Sequence, residues 1–324
     1  MKRLLFFIMA FIPLCNLTIG NYQLKAATHI EIISDTEQIA DEAKIALPLR
    51  VQNEAKQIAG AIKEGDKVAI QLGFEGYAMN EEFTGYVKRI QASEELVLLC
   101  EDESYQLHRT QVAKIFQQTT LTEIVQFVAS QANIQVVGVV PTVNFEKFII
   151  HPSTAYHTLK TLRDEYRFTA YMSGSKLFVG TALGNQGKVV KYHTHKNVEQ
   201  LDLQFEQEEG RLYEVEAIGI TEDNQEIRVM VGTKGGARRT LHYTNIEDEA
   251  SLKLIAQEDL DQLGASGLSG SFLAWGLPYI QLGDLIDFTD PGYTELSGKY
   301  LTQKIVTTWG KDGFHRRVTP GRSV

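Results

Sequence analysis

Hydrophobic and polar residues alternate at period two over much of this chain, and one such pattern occurs near both ends. Glu64-Gly65-Asp66-Lys67-Val68-Ala69-Ile70 is followed by Phe83-Thr84-Gly85-Tyr86-Val87-Lys88-Arg89-Ile90. Far downstream, Leu282-Gly283-Asp284-Leu285-Ile286-Asp287-Phe288 is followed by Leu296-Ser297-Gly298-Lys299-Tyr300-Leu301. Each copy reads as a Gly-Asp turn, an alternating strand and a return strand opened by glycine. Such alternation puts successive side chains on opposite faces of a half-buried strand. Two related β-units predict two similar β-domains, able to present near-equivalent surfaces around an axis.

The rest of the pattern fills in the order of parts. Residues 14–116 read as short strands separated by turn signals, the spacing of a β-barrel or sandwich. Gly20-Asn21 sets a two-residue hairpin turn between residues 17–19 and 22–24. Further strands are predicted at 29–33, 43–48, 68–72, 82–90 and 96–101, with a short helix or loop at 56–63. The middle differs. Thr120-Leu121-Thr122-Glu123 is a capping box, and Leu121, Ile124, Val125, Val128 and Ala132 then share one helical face, with Asn133 as the stop. A strand at 134–140 follows. Ser153 is the predicted cap of a second helix striped by Ala155, Leu159, Leu162 and Tyr166, and a hairpin turns at Ser173-Gly174. After a linker at 184–187, strands resume around Leu201, Leu203 and Phe205, around Tyr213, Val215 and Ala217, and at 227–231, 271–275, 284–288, 299–308 and 313–318. One amphipathic helix at 245–264 carries Leu252, Ile255, Ala256, Leu260 and Leu263, with Gly264 beyond its end. The predicted fold is β-rich α+β. A β-barrel domain at 1–116 and another at 185–324 flank a small α/β module at 117–184.

Composition narrows the functional classes. A chain of 324 residues with 43% hydrophobic and 23% charged residues has room for two or three domains with sound cores. The net charge of −9 argues against a dedicated nucleic-acid binder, which needs clustered Lys and Arg facing phosphates. Cys15 and Cys100 are the only cysteines. They are too few for a disulfide framework or a Cys-rich zinc site and read as buried free thiols. Lys2-Arg3 followed by an apolar run at 4–14 has the look of a secretory signal. It is shorter than the about 20 residues needed to span a bilayer. No A-x-A-like site follows it closely, and bulky Leu14 precedes Cys15. The other reading is an apolar segment packed against a partner.

No stretch carries convincing chemistry. His193-Thr194-His195 places two imidazoles on one face of a predicted strand, but no third metal ligand lies at useful spacing. Gly232-Thr233-Lys234-Gly235-Gly236-Ala237-Arg238-Arg239 has the composition of a phosphate cradle without its order or a following helix, and reads as a hairpin loop with exposed cations. The acidic runs Glu206-Gln207-Glu208-Glu209 and Glu101-Asp102-Glu103 read as solvated charge, since paired catalytic carboxylates must face each other across a cleft. No G-x-S-x-G elbow is present, and the scattered serines and histidines do not form a triad. No catalytic, cofactor-binding or metal residue is assigned, and no enzymatic activity is expected.

Residues Phe83 to Ile90, then Leu96-Val97-Leu98-Leu99-Cys100-Glu101-Asp102, resemble the first barrel of phage baseplate hub proteins. Thr154-Ala155-Tyr156-His157-Thr158-Leu159 with Phe168-Thr169-Ala170-Tyr171 is similar to their small middle module. Leu282-Gly283-Asp284-Leu285-Ile286 and Gly298-Lys299-Tyr300-Leu301 are similar to the closing strands of their second barrel. The resemblance is to the late control protein D family and to the hub half of spike proteins in contractile injection systems. It covers residues 14–310 as an order of modules. It implies a homotrimer in which two tube-like barrels per subunit build a pseudo-sixfold ring. One face of the ring would meet a hexameric tail tube protein and the other a trimeric spike protein, with baseplate wedge proteins around it. No specific nucleic-acid binding, membrane insertion or cofactor is implied. The implied location is the virion tail or baseplate, assembled in the host cytoplasm. The signal-like start departs from that pattern, and without a β-helical spike after the second barrel the spike is expected to be a separate chain. The competing expectation is an exported β-rich protein of the cell envelope, a binding module or a carbohydrate-active enzyme.

Overall fold

A computed structural model of the chain describes residues 12–48, 62–92, 94–140, 142–180, 187–206, 212–220, 225–244, 246, 248–263 and 267–324. The first β-unit contains β1 (Pro13–Ile19), β2 (Tyr22–Leu24), β3 (His29–Asp35), β4 (Glu42–Pro48), β5 (Lys67–Phe74), β6 (Asn80–Ala92) and β7 (Glu95–Glu101), followed by the short helix α1 (Ser104–Arg109). The middle contains β8 (Gln111–Thr120), α2 (Leu121–Gln131), β9 (Gln135–Gly138), β10 (Asn144–Thr154), α3 (Ala155–Tyr166), β11 (Thr169–Ser173) and β12 (Lys176–Gly180). Then come β13 (Val189–His193), β14 (Val198–Glu206), β15 (Tyr213–Ile220), β16 (Glu226–Gly232), β17 (Ala237–Thr244) and α4 (Glu249–Leu263). The chain closes with β18 (Gly267–Trp275), β19 (Leu285–Thr289), β20 (Gly298–Gly310) and β21 (Gly313–Ser323). The helix or loop expected at 56–63 falls, up to residue 61, outside the described residues. So do residues 4–11 of the apolar run, residues 184–186 of the expected linker, and Gly264.

The two β-units are not separate sheets. Thirteen strands form one ladder in the order β14-β18-β21-β20-β3-β4-β7-β6-β5-β1-β2, with β19 and β13 branching from β20. β20 is the joint. Its first residues pair with β19, from Gly298 opposite Phe288 to Leu301 opposite Leu285. Its later residues pair with β3, from Lys304 opposite Asp35 to Gly310 opposite His29. Its other edge is held by β21 along most of its length. Among the described residues the ladder ends at β2 and β14, so strand pairing alone does not close either half into the expected barrel.

The repeat read from the sequence is real at its turn. In the first copy the Asp66 N–H donates to the Lys63 carbonyl at 3.1 Å, and Asp66 Oδ2 accepts the Lys63 N–H at 2.8 Å. In the second the Asp284 N–H donates to the Gln281 carbonyl at 3.1 Å, and Asp284 Oδ2 accepts the Gln281 N–H at 3.0 Å. Both turns need glycine before the aspartate, because φ is +92° at Gly65 and +88° at Gly283. Each aspartate carbonyl then accepts an N–H of the return strand, from Val87 at 2.9 Å and from Thr302 at 3.2 Å.

Two details of the expected repeat fail. Gly85 lies opposite Val68, two residues after Asp66, whereas Gly298 lies opposite Phe288, four after Asp284, so the two glycines are not equivalent. Gly85 is instead demanded by the close approach of the Glu101-Asp102 backbone, where a Cβ would clash. The strand beyond the turn also differs in direction: β1 runs antiparallel to β5, but β13 runs parallel to β19. Both nevertheless bring a glycine, Gly20 or Gly187, against the turn carboxylate.

In the middle module, Thr120 caps α2 with the full capping box, and Leu121, Ile124, Val125, Val128 and Ala132 are all buried. Asn133 adopts φ +58° just past the helix end. The cap of α3 is Thr154, whose hydroxyl accepts the His157 N–H at 3.2 Å, and not Ser153. Ser153 is still held in the ladder, opposite Val112. The strand expected at 134–140 is only Gln135–Gly138, paired parallel to β12. α4 and the small sheet β16-β15-β17 share one core with α2, α3 and the β8–β10 ribbon, through Val215, Ala217, Leu252, Ile255 and Ala256. The helix expected inside the second β-domain thus packs with the middle module. The β11–β12 hairpin is apolar on both faces. Ala170, Met172, Leu177 and Val179 join that core, while Tyr171 and Phe178 enter the core of the second β-unit.

Candidate functional site: the junction of the two β-units

The largest fully buried side chain is a charged one, Arg316 on β21. A buried guanidinium must be paired and hydrogen-bonded, or the fold loses several kcal/mol, of order 3–5. Arg316 is satisfied by both halves of the molecule. Nη1 and Nη2 donate in parallel to Glu82 Oε2 at 2.7 Å and Oε1 at 2.5 Å. Nη1 also donates to Thr307 Oγ1 of β20 at 3.0 Å, and Nε donates to the Gly276 carbonyl at 2.8 Å. The Glu82 side chain is only 3% exposed. Burial pushes its carboxyl up, and the guanidinium offsets part of that rise. The rings of Tyr279 and Phe314 flank the guanidinium, at 5.2 and 5.3 Å from its carbon to the ring centres. Gly276 is required here because the Phe314 ring fills the space a Cβ would take. Phe314 in turn packs on Phe74 of β5, with ring centres 5.3 Å apart.

Beside this pair lies a polar cavity of about 180 Å³. All three parts of the molecule line it: Ser34, Asp41 and Asp102 from the first β-unit, Ser173 from the middle hairpin, and Tyr279 and Thr307 from the second β-unit. Asp102 accepts the Asp41 N–H on Oδ2 and the Ser104 N–H on Oδ1, both at 2.8 Å. Asp41 Oδ2 takes the Ser34 hydroxyl at 2.6 Å. Burial raises both carboxyls, Asp102 to about 7 and Asp41 well above the usual carboxylate range. Asp102 has N–H donors on both oxygens, whereas Asp41 has only the Ser34 hydroxyl on Oδ2 and none on Oδ1, so burial weighs more heavily on Asp41.

The neighbouring Glu101 is buried as well. It accepts from Ser104 Oγ at 2.9 Å, lies 3.0 Å from His108 Nε2 and 2.6 Å from Lys88 Nζ. Burial alone would raise this carboxyl, but the His108 and Lys88 contacts outweigh it and hold it below the usual value. The His108 ring stacks on Tyr156 of α3, tying the first β-unit to the middle module.

These placements correct the sequence reading in three places. Glu101 and Asp102 are inside the protein, not solvated, because Lys88, His108, Ser104 and backbone N–H groups receive them. The segment 232–239 is not a hairpin loop, and its arginines, though partly exposed as expected, are paired. Residues 233–236 turn around the start of β15, and Arg238 and Arg239 lie on β17, which pairs parallel to β15. Arg238 Nη2 meets buried Glu214 at 3.0 Å and Arg239 Nε meets buried Asp259 of α4 at 3.1 Å. Finally, only His193 belongs to a strand. His195 sits in the following turn and donates its N–H to His193 Nδ1 at 3.1 Å. Among the described residues no cluster of three potential metal ligands occurs. Gln207, Glu208 and Glu209 of the other acidic run lie outside the described residues. Cys15 and Cys100 are buried free thiols, as read.

The junction has the chemistry of a clamp. Glu82 spends both oxygens on Arg316, Asp102 spends both on N–H groups, and Ser104 donates to Glu101 instead of to a histidine. Sequence reasoning missed the clamp because its members stand 234 positions apart.

Several solved structures are similar over nearly the whole chain. A tail protein from Neisseria meningitidis MC58 is 14% identical, with a TM-score of 0.69 and 96% of each chain covered. The 43 kDa tail protein of prophage MuSo2 from Shewanella oneidensis is 17% identical, with a TM-score of 0.63, covering 95% of this chain and 96% of that one. An Escherichia coli component of the type VI secretion system, itself structurally similar to the T4 bacteriophage tail proteins gp27 and gp5, is 10% identical. Its TM-score is 0.62, with 95% of this chain and 77% of that chain covered. No protein-family model and no curated protein sequence matches the chain. The chain has the fold of phage tail proteins and of a type VI secretion component.

Proposed function

We propose that this chain is a structural hub protein of a phage, prophage or related contractile injection machine. Its work is assembly, without catalysis. In this reading three copies form a ring in which two β-units per subunit supply six near-equivalent positions. The ring joins a hexameric tail tube to a trimeric spike, with baseplate wedge proteins around it, and is built in the host cytoplasm. In this reading the chain is divided at 1–116, 117–184 and 185–324, and β15–β17 with α4, although inside the last part, serve the middle module's core. The late control protein D family is the proposed affiliation.

The observation that carries the reading is the repeated Gly-Asp turn at Asp66 and Asp284, set in two β-units that β20 and the Glu82–Arg316 pair hold in one orientation. A subunit that mimics two positions of a sixfold ring needs its halves fixed relative to each other, and closed symmetry avoids open-ended assembly. The fold shared with tail proteins supports the same reading. The exported alternative requires loss of the first 20 or so residues. That cut would remove β1, which pairs with β5 from Pro13 to Ile19 and buries Cys15, Leu17 and Ile19.

Native mass spectrometry and electron microscopy of the full chain test the proposal. The expected result is a trimer with a ring that looks sixfold at low resolution. A protein that stays monomeric alone and with the tube and spike proteins encoded beside it would overturn the reading.

A further inference from the structure

Asp41 lies in the loop between β3 and β4, two residues from a contact that crosses between parts. The Met172 N–H of β11 donates to the Ile39 carbonyl at 3.1 Å. Asp41 itself is incompletely bonded: Oδ2 has Ser34, but Oδ1 is buried without a hydrogen-bond partner. It faces the junction cavity, where the first β-unit, the middle hairpin and the second β-unit meet.

The charged groups around it leave it no counterion. On β3, Asp35 adds negative charge and is answered by Lys304 of β20 at 3.1 Å. On β6, Glu82 holds Arg316 of β21, and Glu81 adds another carboxylate at the cavity. Ahead of α1, Asp102 lies against the Asp41 backbone, while Glu101 occupies Lys88 and His108. The 279–282 segment contributes Tyr279, and the lining residues of the middle hairpin, Met172, Ser173 and Gly174, carry no ionisable side chain.

We propose that Asp41 is a proton-operated latch. Neutral, it leaves the Met172–Ile39 contact between the parts in place; ionised, it draws water onto its buried Oδ1 and releases the middle hairpin from Ile39. The burial that lifts its carboxyl, with the adjacent Asp102 charge adding to the lift, acts in the same direction. The sign follows from linkage. The closed junction binds a proton that the open junction, with an ordinary carboxyl near 3.9, has released. Closure is therefore strongest at acid pH and weakens by roughly tenfold per pH unit from about pH 4 up to the raised value. The cavity is roomy enough to accept the water that a charged carboxylate requires.

The test is hydrogen–deuterium exchange on the full chain at about pH 5.5 and about pH 8.5, corrected for intrinsic exchange, which itself changes with pH. Peptides covering 36–42 and 169–180 are expected to open far more often at the higher pH. In Asp41→Asn, an uncharged isostere, that dependence is expected to flatten. Infrared spectroscopy supplies a second readout: the C=O stretch of a buried protonated carboxylic acid at neutral pH, expected in the wild type and diminished in Asp41→Asn, the comparison separating Asp41 from the raised Asp102 and Glu82 carboxyls beside it. Equal corrected exchange at the two pH values, an unchanged slope in Asp41→Asn, or a protonated-acid band that is absent in the wild type or unchanged in Asp41→Asn would each overturn the latch.

Discussion

Glu82 and Arg316, 234 residues apart, form a two-bond ion pair that seals the meeting of the first and second β-units. Removing either partner strands the other charge in the interior. Arg316→Met and Glu82→Gln are each expected to lower stability by about 3–5 kcal/mol, read from urea denaturation. Replacing both residues with apolar ones should recover much of that loss, because a matched buried pair is rarely better than good apolar packing. A double variant as unstable as the sum of the single ones would contradict this account.

The glycines of the two Gly-Asp turns should respond alike. Gly65→Ala and Gly283→Ala each force a side chain into positive φ, at a cost of about 1–2 kcal/mol. Asp66→Ala and Asp284→Ala each remove the acceptor of a turn N–H, at about 1–3 kcal/mol for the buried site and less for the exposed one. Denaturation midpoints check this. A large effect at one glycine and none at the other would mean that the turns are alike only in sequence.

Both cysteines should be silent in the folded protein. Burial pushes the Cys15 thiol up to about 11 and the Cys100 thiol up to about 12, so neither ionises near neutral pH. A thiol reagent at pH about 8 is expected to label neither residue until denaturant is added, and both afterwards. Mass spectrometry of the labelled protein reads the outcome.

Leu17 decides between the packed and the cleaved N-terminal reading. It is buried in β1, opposite Ile70 of β5. Leu17→Ala is expected to cost about 2–5 kcal/mol in the protein purified from cells. A mature protein that starts beyond residue 20 and is indifferent to this substitution would revive export.

Elements whose pattern was local could be read directly. The hairpin at Gly20-Asn21, the capping box at Thr120 and Glu123, and the stripe of α3 all appear where the periodicity put them. The β8–β10 ribbon could not be read that way. In Gln111–Thr120 only Val112 and Thr119 are buried, so no alternation marks the strand. β17 was hidden by Arg238 and Arg239, whose neutralising partners, Glu214 and Asp259, lie on other elements. The same reason put Glu101 and Asp102 on the wrong side of the surface. A charge reads as solvated until its distant partners are known. The junction was illegible for that reason alone, since each of its members looks ordinary in its own stretch of chain.

β20 has a consequence for how such a gene can change. One strand completes the ladders of both β-units, so neither unit can be traded with a relative at a clean boundary. A recombinant that inherits only one end would carry a strand fitted to half of its neighbours. Diversity among such proteins is expected to accumulate in the middle insertions, with the two ends inherited together.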